Sequence, residues 1–284
     1  MKKNTKFIMV VALLVLALAG WLAGVVSFFD EDRTPVHRLT TLATPPADRL
    51  EIKASIISID PVRGTAKIEL VFDPKGRLAS DDRHKLTRDI KLHTNGIGKS
   101  DIVVHKNHQM HPVELTIGLL DGDFALYPMD AYNAELEIEV AAVEGESLVP
   151  LVMNFESHNH QMHAEAELNS DSGDSDILVD IKLQRTTAVK AFAWFMNAVM
   201  AMLGVAAVLV TFNVAYRGKK FETSLMIWMG ALLFVLPGIR NMLPGTPPMG
   251  SFTDFLVFFW VEAAISVCAF IMVLTWAKRV GMEK

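Results

Sequence analysis

Four long apolar runs constrain this chain more than any other feature of its sequence. They cover residues 7–29, 191–216, 221–236 and 255–277. A helix rises ~1.5 Å per residue, so runs of this kind can cross the ~30 Å hydrocarbon core of a bilayer. The sequence therefore predicts a membrane protein with one N-terminal and three C-terminal transmembrane helices.

The N-terminal run follows three lysines and has two interpretations. Ala17-Leu18-Ala19 resembles the site at which secretory signal peptides are cleaved. The apolar run continues for ten residues beyond this site, which is longer than the apolar part of a signal peptide. We therefore expect residues 1–29 to remain as a signal anchor, with removal of residues 1–19 as the alternative.

Basic residues mark one side of the membrane. They lie before the first apolar run, between the second and third, and after the fourth, within residues 1–6, 217–220 and 278–284. Cytoplasmic loops carry such an excess of Lys and Arg. We expect a plasma (inner) membrane protein with both termini cytoplasmic and residues 30–188 outside. The cytoplasmic parts are then too short for a kinase, an ATPase or a DNA-binding unit.

Charge divides the chain in the same way. Residues 30–188 carry 16 Lys and Arg against 28 Asp and Glu, a net charge of −12, whereas the rest carries 11 against 4, a net charge of +7. An acidic domain is a poor partner for nucleic acid. The expected partners are the lipid bilayer and an unidentified exofacial or membrane protein, and a homo-oligomer remains open.

The pattern of residues 30–188 is typical of an all-β domain. Apolar and polar residues alternate at 50–56 and 66–72, around a turn at 61–64, and again at 113–119, 136–140, 149–155 and 177–183. This period of two indicates half-buried strands. Short strands at this spacing predict an antiparallel β-sandwich, with a short helix or an irregular crossover at 80–90. The expected division is therefore an anchor (1–29), an extracytoplasmic β-sandwich domain (30–188) and a three-helix transmembrane domain (189–284).

Three charged residues lie in the last apolar hairpin: Arg240, Asp254 and Glu262. An ionised carboxylate near the bilayer centre costs roughly 2.5–3.5 kcal/mol. We expect Glu262 to be protonated, to face the bundle interior or to pair with a cation. Arg240 can reach inward to it, and Asp254 is the competing partner. These residues, with the adjacent Trp260, either hold the hairpin closed or line a polar path.

A compact aromatic loop is the candidate contact between the β domain and the membrane. It contains Tyr127, Pro128, Asp130 and Tyr132. Tyr127-Pro-Met-Asp130 resembles the Phe-Pro-Phe-Asp loop at the membrane-facing end of pentameric ligand-gated channels, although the flanking cysteines of those channels are missing here. We expect the aromatic rings and Asp130 to fasten the β domain to the membrane.

All nine histidines lie in residues 30–188, and the pentapeptide Asn-His-Gln-Met-His occurs twice. The upstream histidine group is His105, His108 and His111, and the downstream histidine group is His158, His160 and His163. On a strand, His158, His160 and Met162 share one face, because side chains alternate. Imidazole with thioether suits copper and imidazole alone suits zinc. A shared copper or zinc site is thus one hypothesis, and two unrelated solvated segments are the other.

The chain resembles an uncharacterised family of membrane proteins, a domain of unknown function that is common in mycobacterial and other bacterial genomes. The matching segments are Tyr127–Tyr132, Ile239-Arg240-Asn241, Pro244-Gly245, Pro247–Gly250, Asp254, Phe259-Trp260 and Glu262. The resemblance implies one leading span, an outer β domain and three closing spans, but no activity. The histidine groups are not part of this pattern.

The sequence contains no nucleophile elbow, P-loop, dinucleotide fingerprint or zincin helix, so it indicates no enzymatic chemistry. Three functions remain open. The first is a membrane protein that presents its exofacial β-sandwich as a binding or envelope-assembly module. The second is a channel or transporter component that uses the hairpin charges, and the third is an exofacial metal-binding protein.

Overall fold

The computed structural model describes residues 22, 37–42, 44–80, 85–98, 100–143, 149–157 and 159–282. They belong to two compact units. A β unit contains residues 37–123 and 130–186, and a helical unit contains residues 124–129 and 187–282. The predicted transmembrane helix over residues 7–29 lies outside the described residues, except for Leu22.

The β unit contains ten strands. They are β1 (His37–Leu39), β2 (Arg49–Asp60), β3 (Thr65–Lys75), β4 (Ile90–Thr94), β5 (Asp101–Val104), β6 (Val113–Asp121), β7 (Ala131–Ala142), β8 (Leu151–Ser157), β9 (Met162–Leu168) and β10 (Asp176–Arg185). Each of the six segments with alternating polarity lies largely or wholly in a strand, which confirms those predictions. The strands β1, β4, β5 and β9 were not predicted.

The strands pair in the order β1-β8-β2-β3-β6-β7-β10-β9, and β4 adds to β7 and carries β5. All ten thus belong to one barrel-like sheet, in place of the two separate sheets of a sandwich. The prediction of antiparallel pairing holds for every pair except β2 and β8, which run parallel. β2 and β8 lie about a hundred residues apart in the chain, and no local pattern in the sequence specifies their pairing.

Alternating side chains build the core of the β unit. In β3 and β7 every second residue is buried, because successive side chains of a strand point to opposite faces. Gly64, with φ of 65°, closes the β2–β3 hairpin, a conformation that favours glycine. Leu86 and Lys85 form isolated β-bridges, so the described part of residues 80–90 is an irregular crossover and contains no helix.

Three helices form most of the helical unit: α1 (Thr187–Ala215), α2 (Thr223–Asn241) and α3 (Phe259–Met282), the last preceded by a π-helical turn at Asp254–Phe258. All three are long and apolar enough to cross a membrane, which agrees with three C-terminal spans. Pro237 lies inside α2 and does not end the helix. The helix continues through it to Asn241, and this extension carries Arg240.

The helices α1 and α3 lie side by side and run in the same direction. A Cβ atom added to Gly204 of α1 would lie 3.0 Å from Val261 Cγ1 of α3, so the backbones approach closely there. Further along, Arg279 of α3 donates to the carbonyl oxygens of Val214 and Lys219 at 2.8 and 2.9 Å. Arg279 therefore holds the C-terminal end of α1 in place.

Candidate functional site

The most enclosed charged site of the helical unit is the pair Arg240–Asp254. Arg240 Nε donates to Asp254 Oδ1 at 2.8 Å, and Arg240 Nη2 donates to Asp254 Oδ2 at 2.7 Å. Arg240 is only 5% exposed and Asp254 is fully buried. The pairing is bidentate, which is the strongest geometry open to a guanidinium and a carboxylate.

The connector between α2 and α3 completes this site with backbone groups. The N–H groups of Gly250 and Ser251 donate to Asp254 Oδ2 at 2.9 and 3.3 Å, and Pro248 O accepts from Arg240 Nη2 at 2.8 Å. Gly250 adopts a φ of 93°, which only glycine accepts without strain. The Pro- and Gly-rich connector is therefore folded around the ion pair.

This arrangement is a structural clamp. Asp254 accepts four hydrogen bonds, so its capacity is taken up by the fold. Of the two partners proposed for Arg240, the structure selects Asp254 and not Glu262. The charged groups of Arg240 and Asp254 are therefore both engaged within the hairpin.

Glu262, the third charged residue of the hairpin, differs from this pair. It lies eight residues beyond Asp254, close to the α3 residues that pack against α1. Its Oε2 atom is buried and has no hydrogen-bond partner among the described residues. Trp260, by contrast, is 71% exposed, so its ring lies at the surface of the helical unit. Glu262 is therefore a partly buried carboxyl group of α3 whose hydrogen bonding the described residues do not complete.

A second buried ion pair lies in the β unit, between Asp130 and Arg185. Arg185 Nε lies 3.0 Å from both oxygens of Asp130, and Tyr132 Oη donates to Asp130 Oδ2 at 2.9 Å. All three residues are at least 94% buried. Burial, followed by the negative charge of Asp130, raises the pKa of the Tyr132 phenol. This network joins the start of β7 to the end of β10.

Sequence reasoning predicted Asp130 and Tyr132 but missed Arg185. Arg185 occupies an inward-facing position after Ile181 and Leu183. A cation in phase with a buried stripe is the signal that could have identified it, because such a charge needs a partner.

The aromatic loop divides between the two units. Tyr127 and Pro128 are buried, and Tyr127 belongs to a cluster with Val189, Ala193 and Leu243 of the helical unit. Asp130 and Tyr132 belong to the β unit. That the loop fastens the β domain to a membrane stays a prediction.

The upstream histidine group follows β5. His105 Nδ1 lies 3.1 Å from Asp89 Oδ2, and the His105 and His108 ring centroids are 6.2 Å apart. The Lys106 N–H group and then His105 lower the pKa of Asp89. His111 is exposed. No group of three or more metal-ligating side chains converges within the described parts of the chain.

The downstream histidine group follows β8. His158 lies outside the described residues, and His160 lies in the turn before β9, which starts at Met162. The prediction that His158, His160 and Met162 share a strand face was therefore wrong for His160 and Met162. His160 O accepts a bond from Thr186 Oγ1 at 3.2 Å. His163 Nε2 lies 3.6 Å from Glu165 Oε1.

Strand register separates the two groups. Val104, next to His105, pairs with Ile90, and Ile90 pairs with Ala142 at the end of β7. His163 pairs with Gln184, which pairs with Ala131 at the start of β7. Those ends of β7 are eleven residues apart, about 36 Å at ~3.3 Å per residue. This register argues against one shared copper or zinc site, and metal binding by either group alone stays a prediction.

Comparison with known protein families assigns both units. The model described as Domain of unknown function (DUF4436) matches residues 40–184, which is just over half of the chain. The model described as Domain of unknown function (DUF8686) matches residues 185–279. A search of curated proteins finds no match. The two matches meet where β10 ends and α1 is about to begin, and together they confirm the resemblance to a domain-of-unknown-function family. The chain belongs to the DUF4436 family.

Proposed function

We propose that this protein is a multi-pass membrane protein that presents its β unit outside the cell as a binding or envelope-assembly module. The observation that carries the proposal is the full engagement of Arg240 and Asp254. Because these charges hold the connector in place, the helical unit offers an anchor more readily than a conducting path. The exposed charges that remain for recognition lie mainly on the β unit.

The distribution of basic residues supports the orientation. Arg217, Lys219 and Lys220 follow α1, and Lys278 and Arg279 lie near the end of α3. The parallel course of α1 and α3 brings these residues to one end of the bundle. By the excess of Lys and Arg in cytoplasmic loops, this end is cytoplasmic and the start of α1, where the β unit joins, is outside. An uncleaved N-terminal anchor over residues 1–29 completes the proposed topology.

Cross-linking of intact cells tests the module. A membrane-impermeant, lysine-reactive cross-linker should join the β unit to envelope proteins through exposed lysines such as Lys67 and Lys91. Lys219 and Lys220, at the opposite end, serve as the internal control and should react only after permeabilisation. Cross-links confined to the helical unit, or none to any other protein, would contradict the proposal.

A transport role is the second candidate, and the buried Oε2 of Glu262, which has no hydrogen-bond partner among the described residues, favours it. A carboxylate within a span is costly and often marks an ion or proton pathway. Purified protein in liposomes with an internal pH-sensitive dye should then pass protons, and Glu262→Gln should abolish the flux. Glu222→Gln, which changes an exposed carboxylate just before α2, is the matched control. Equal behaviour of wild type and Glu262→Gln would remove this candidate.

A further inference from the structure

A groove runs along the helical unit between α1 and α3. Its volume is about 460 Å³, and its walls are almost entirely apolar. Val208, Phe212 and Tyr216 line it from α1, and Trp260, Ala264 and Ile271 line it from α3. The small side chains of α3 leave the space open, although the helices touch closely at Gly204 and Val261.

The length of the groove matches one leaflet of a bilayer. From Trp260 to Ile271 the helix advances eleven residues, about 16 Å at ~1.5 Å per residue. Half of a ~30 Å hydrocarbon core is ~15 Å. The groove therefore has the dimensions and polarity to take an acyl chain lying parallel to the helices.

Two cations stand at one end of this groove. The Arg217 guanidinium carbon lies 5.3 Å from the centroid of the Phe212 ring, and the Tyr216 ring stacks on Phe212 at 5.7 Å. Lys278 follows Ile271 by seven residues, so it lies on the same face of α3 about two turns further on. Both cations are exposed, and neither forms an ion pair with any residue that the structure describes.

The neighbouring Arg279 does not compete for the same role. Its guanidinium is bonded to the Val214 and Lys219 carbonyl oxygens. Arg217 and Lys278 are therefore the cations that make this end of the apolar groove basic. Basic pockets between transmembrane helices on the cytoplasmic side are suited to anionic lipid headgroups.

We propose that the groove between α1 and α3 binds an anionic phospholipid, with an acyl chain against Phe212 and Ala264 and the phosphate at Arg217 and Lys278. A soluble anion would not use the apolar walls, and a neutral lipid would not use the two cations. The proposal concerns a different part of the molecule from the exofacial module and does not depend on it.

The phospholipid that stays bound to the purified protein can be quantified to test this site directly. The purified full-length protein is incubated in detergent with equal amounts of phosphatidylglycerol and phosphatidylcholine, repurified, and its lipids are quantified by mass spectrometry. Wild type should retain phosphatidylglycerol in several-fold excess. Arg217→Gln with Lys278→Gln should bring the ratio close to one, whereas Lys219→Gln with Lys220→Gln, which removes the same charge from the same end, should preserve the excess.

A variant that keeps both cations tests the apolar part. Ala263→Leu adds bulk to an exposed alanine that also lines the groove, and it should lower the amount of retained phosphatidylglycerol. Ala263→Leu tests lipid binding in the groove independently if the Arg217→Gln, Lys278→Gln variant is not monodisperse. A wild-type ratio near one, an equal loss in both double glutamine variants, or unchanged retention in Ala263→Leu would overturn the proposal.

Discussion

Breaking the Arg240–Asp254 pair should destabilise the helical unit more than any change to an exposed charge. Arg240→Met removes both charge-assisted bonds and leaves the buried Asp254 carboxylate with only the Gly250 and Ser251 N–H groups. Asp254→Asn keeps an acceptor for those N–H groups but leaves the Arg240 charge uncompensated. Both variants thus create an unpaired buried charge.

The expected magnitude follows from this burial. Removing one member of a buried, hydrogen-bonded pair costs about 3–5 kcal/mol, because the remaining charge is desolvated without compensation. That is a large part of a typical unfolding free energy of about 5–15 kcal/mol. The double variant leaves no charge unpaired, so it should cost less than the sum of the singles by about 1–3 kcal/mol.

Equilibrium unfolding in mixed micelles, followed by helical circular dichroism, supplies the free energies of unfolding. Lys220→Met is the control, since an exposed cation without a partner among the described residues should change stability by less than about 0.5 kcal/mol. A cost for Arg240→Met no larger than that of the control, or strict additivity in the double variant, would refute the clamp.

Three further predictions address other parts of the molecule. The pKa of Tyr132 is raised in the folded state. The contribution of the neutral Tyr132 phenol to stability should therefore be present below the ordinary tyrosine pKa of ~10 and fall as the pH rises above ~10. Asp130→Asn should lower the pKa of Tyr132 in an ultraviolet titration. Arg279→Ala should destabilise by about 1 kcal/mol through the lost carbonyl bonds, against no measurable effect for Lys278→Ala. Any zinc or copper bound by the upstream histidine group should be unaffected, in calorimetric titration, by substitution of the downstream group, and coupling between them would contradict the register.

Local patterns explain why much of the β unit could be predicted. The alternation in β3 and β7 reflects strands with one buried face, and the period of two is visible in the sequence. In β8 the first three residues are all buried, so this strand does not show the alternation throughout. Its parallel pairing with β2 joins segments about a hundred residues apart, and the sequence pattern carries no information on such a choice.

The candidate site was predictable only in part. Arg240 and Asp254 were recognisable because charges are rare in an apolar hairpin, and a charge in such surroundings needs a partner. Which carboxylate Arg240 would select depended on the course of the connector, which turns at Gly250. For the histidine groups, identical pentapeptides indicate similar local chemistry but say nothing about distance. Strand register places the two groups at different ends of β7.

The most direct test of the proposed exofacial module is the side of the membrane on which the β unit lies. The single native cysteine, Cys268, is buried, so cysteines can be introduced one at a time at Ser170 in the exposed β9–β10 turn and at Lys220 between α1 and α2. In intact cells a membrane-impermeant maleimide should label Ser170→Cys, and it should label Lys220→Cys only after permeabilisation. Labelling of Lys220→Cys alone in intact cells, or of both positions, would contradict an exofacial β unit.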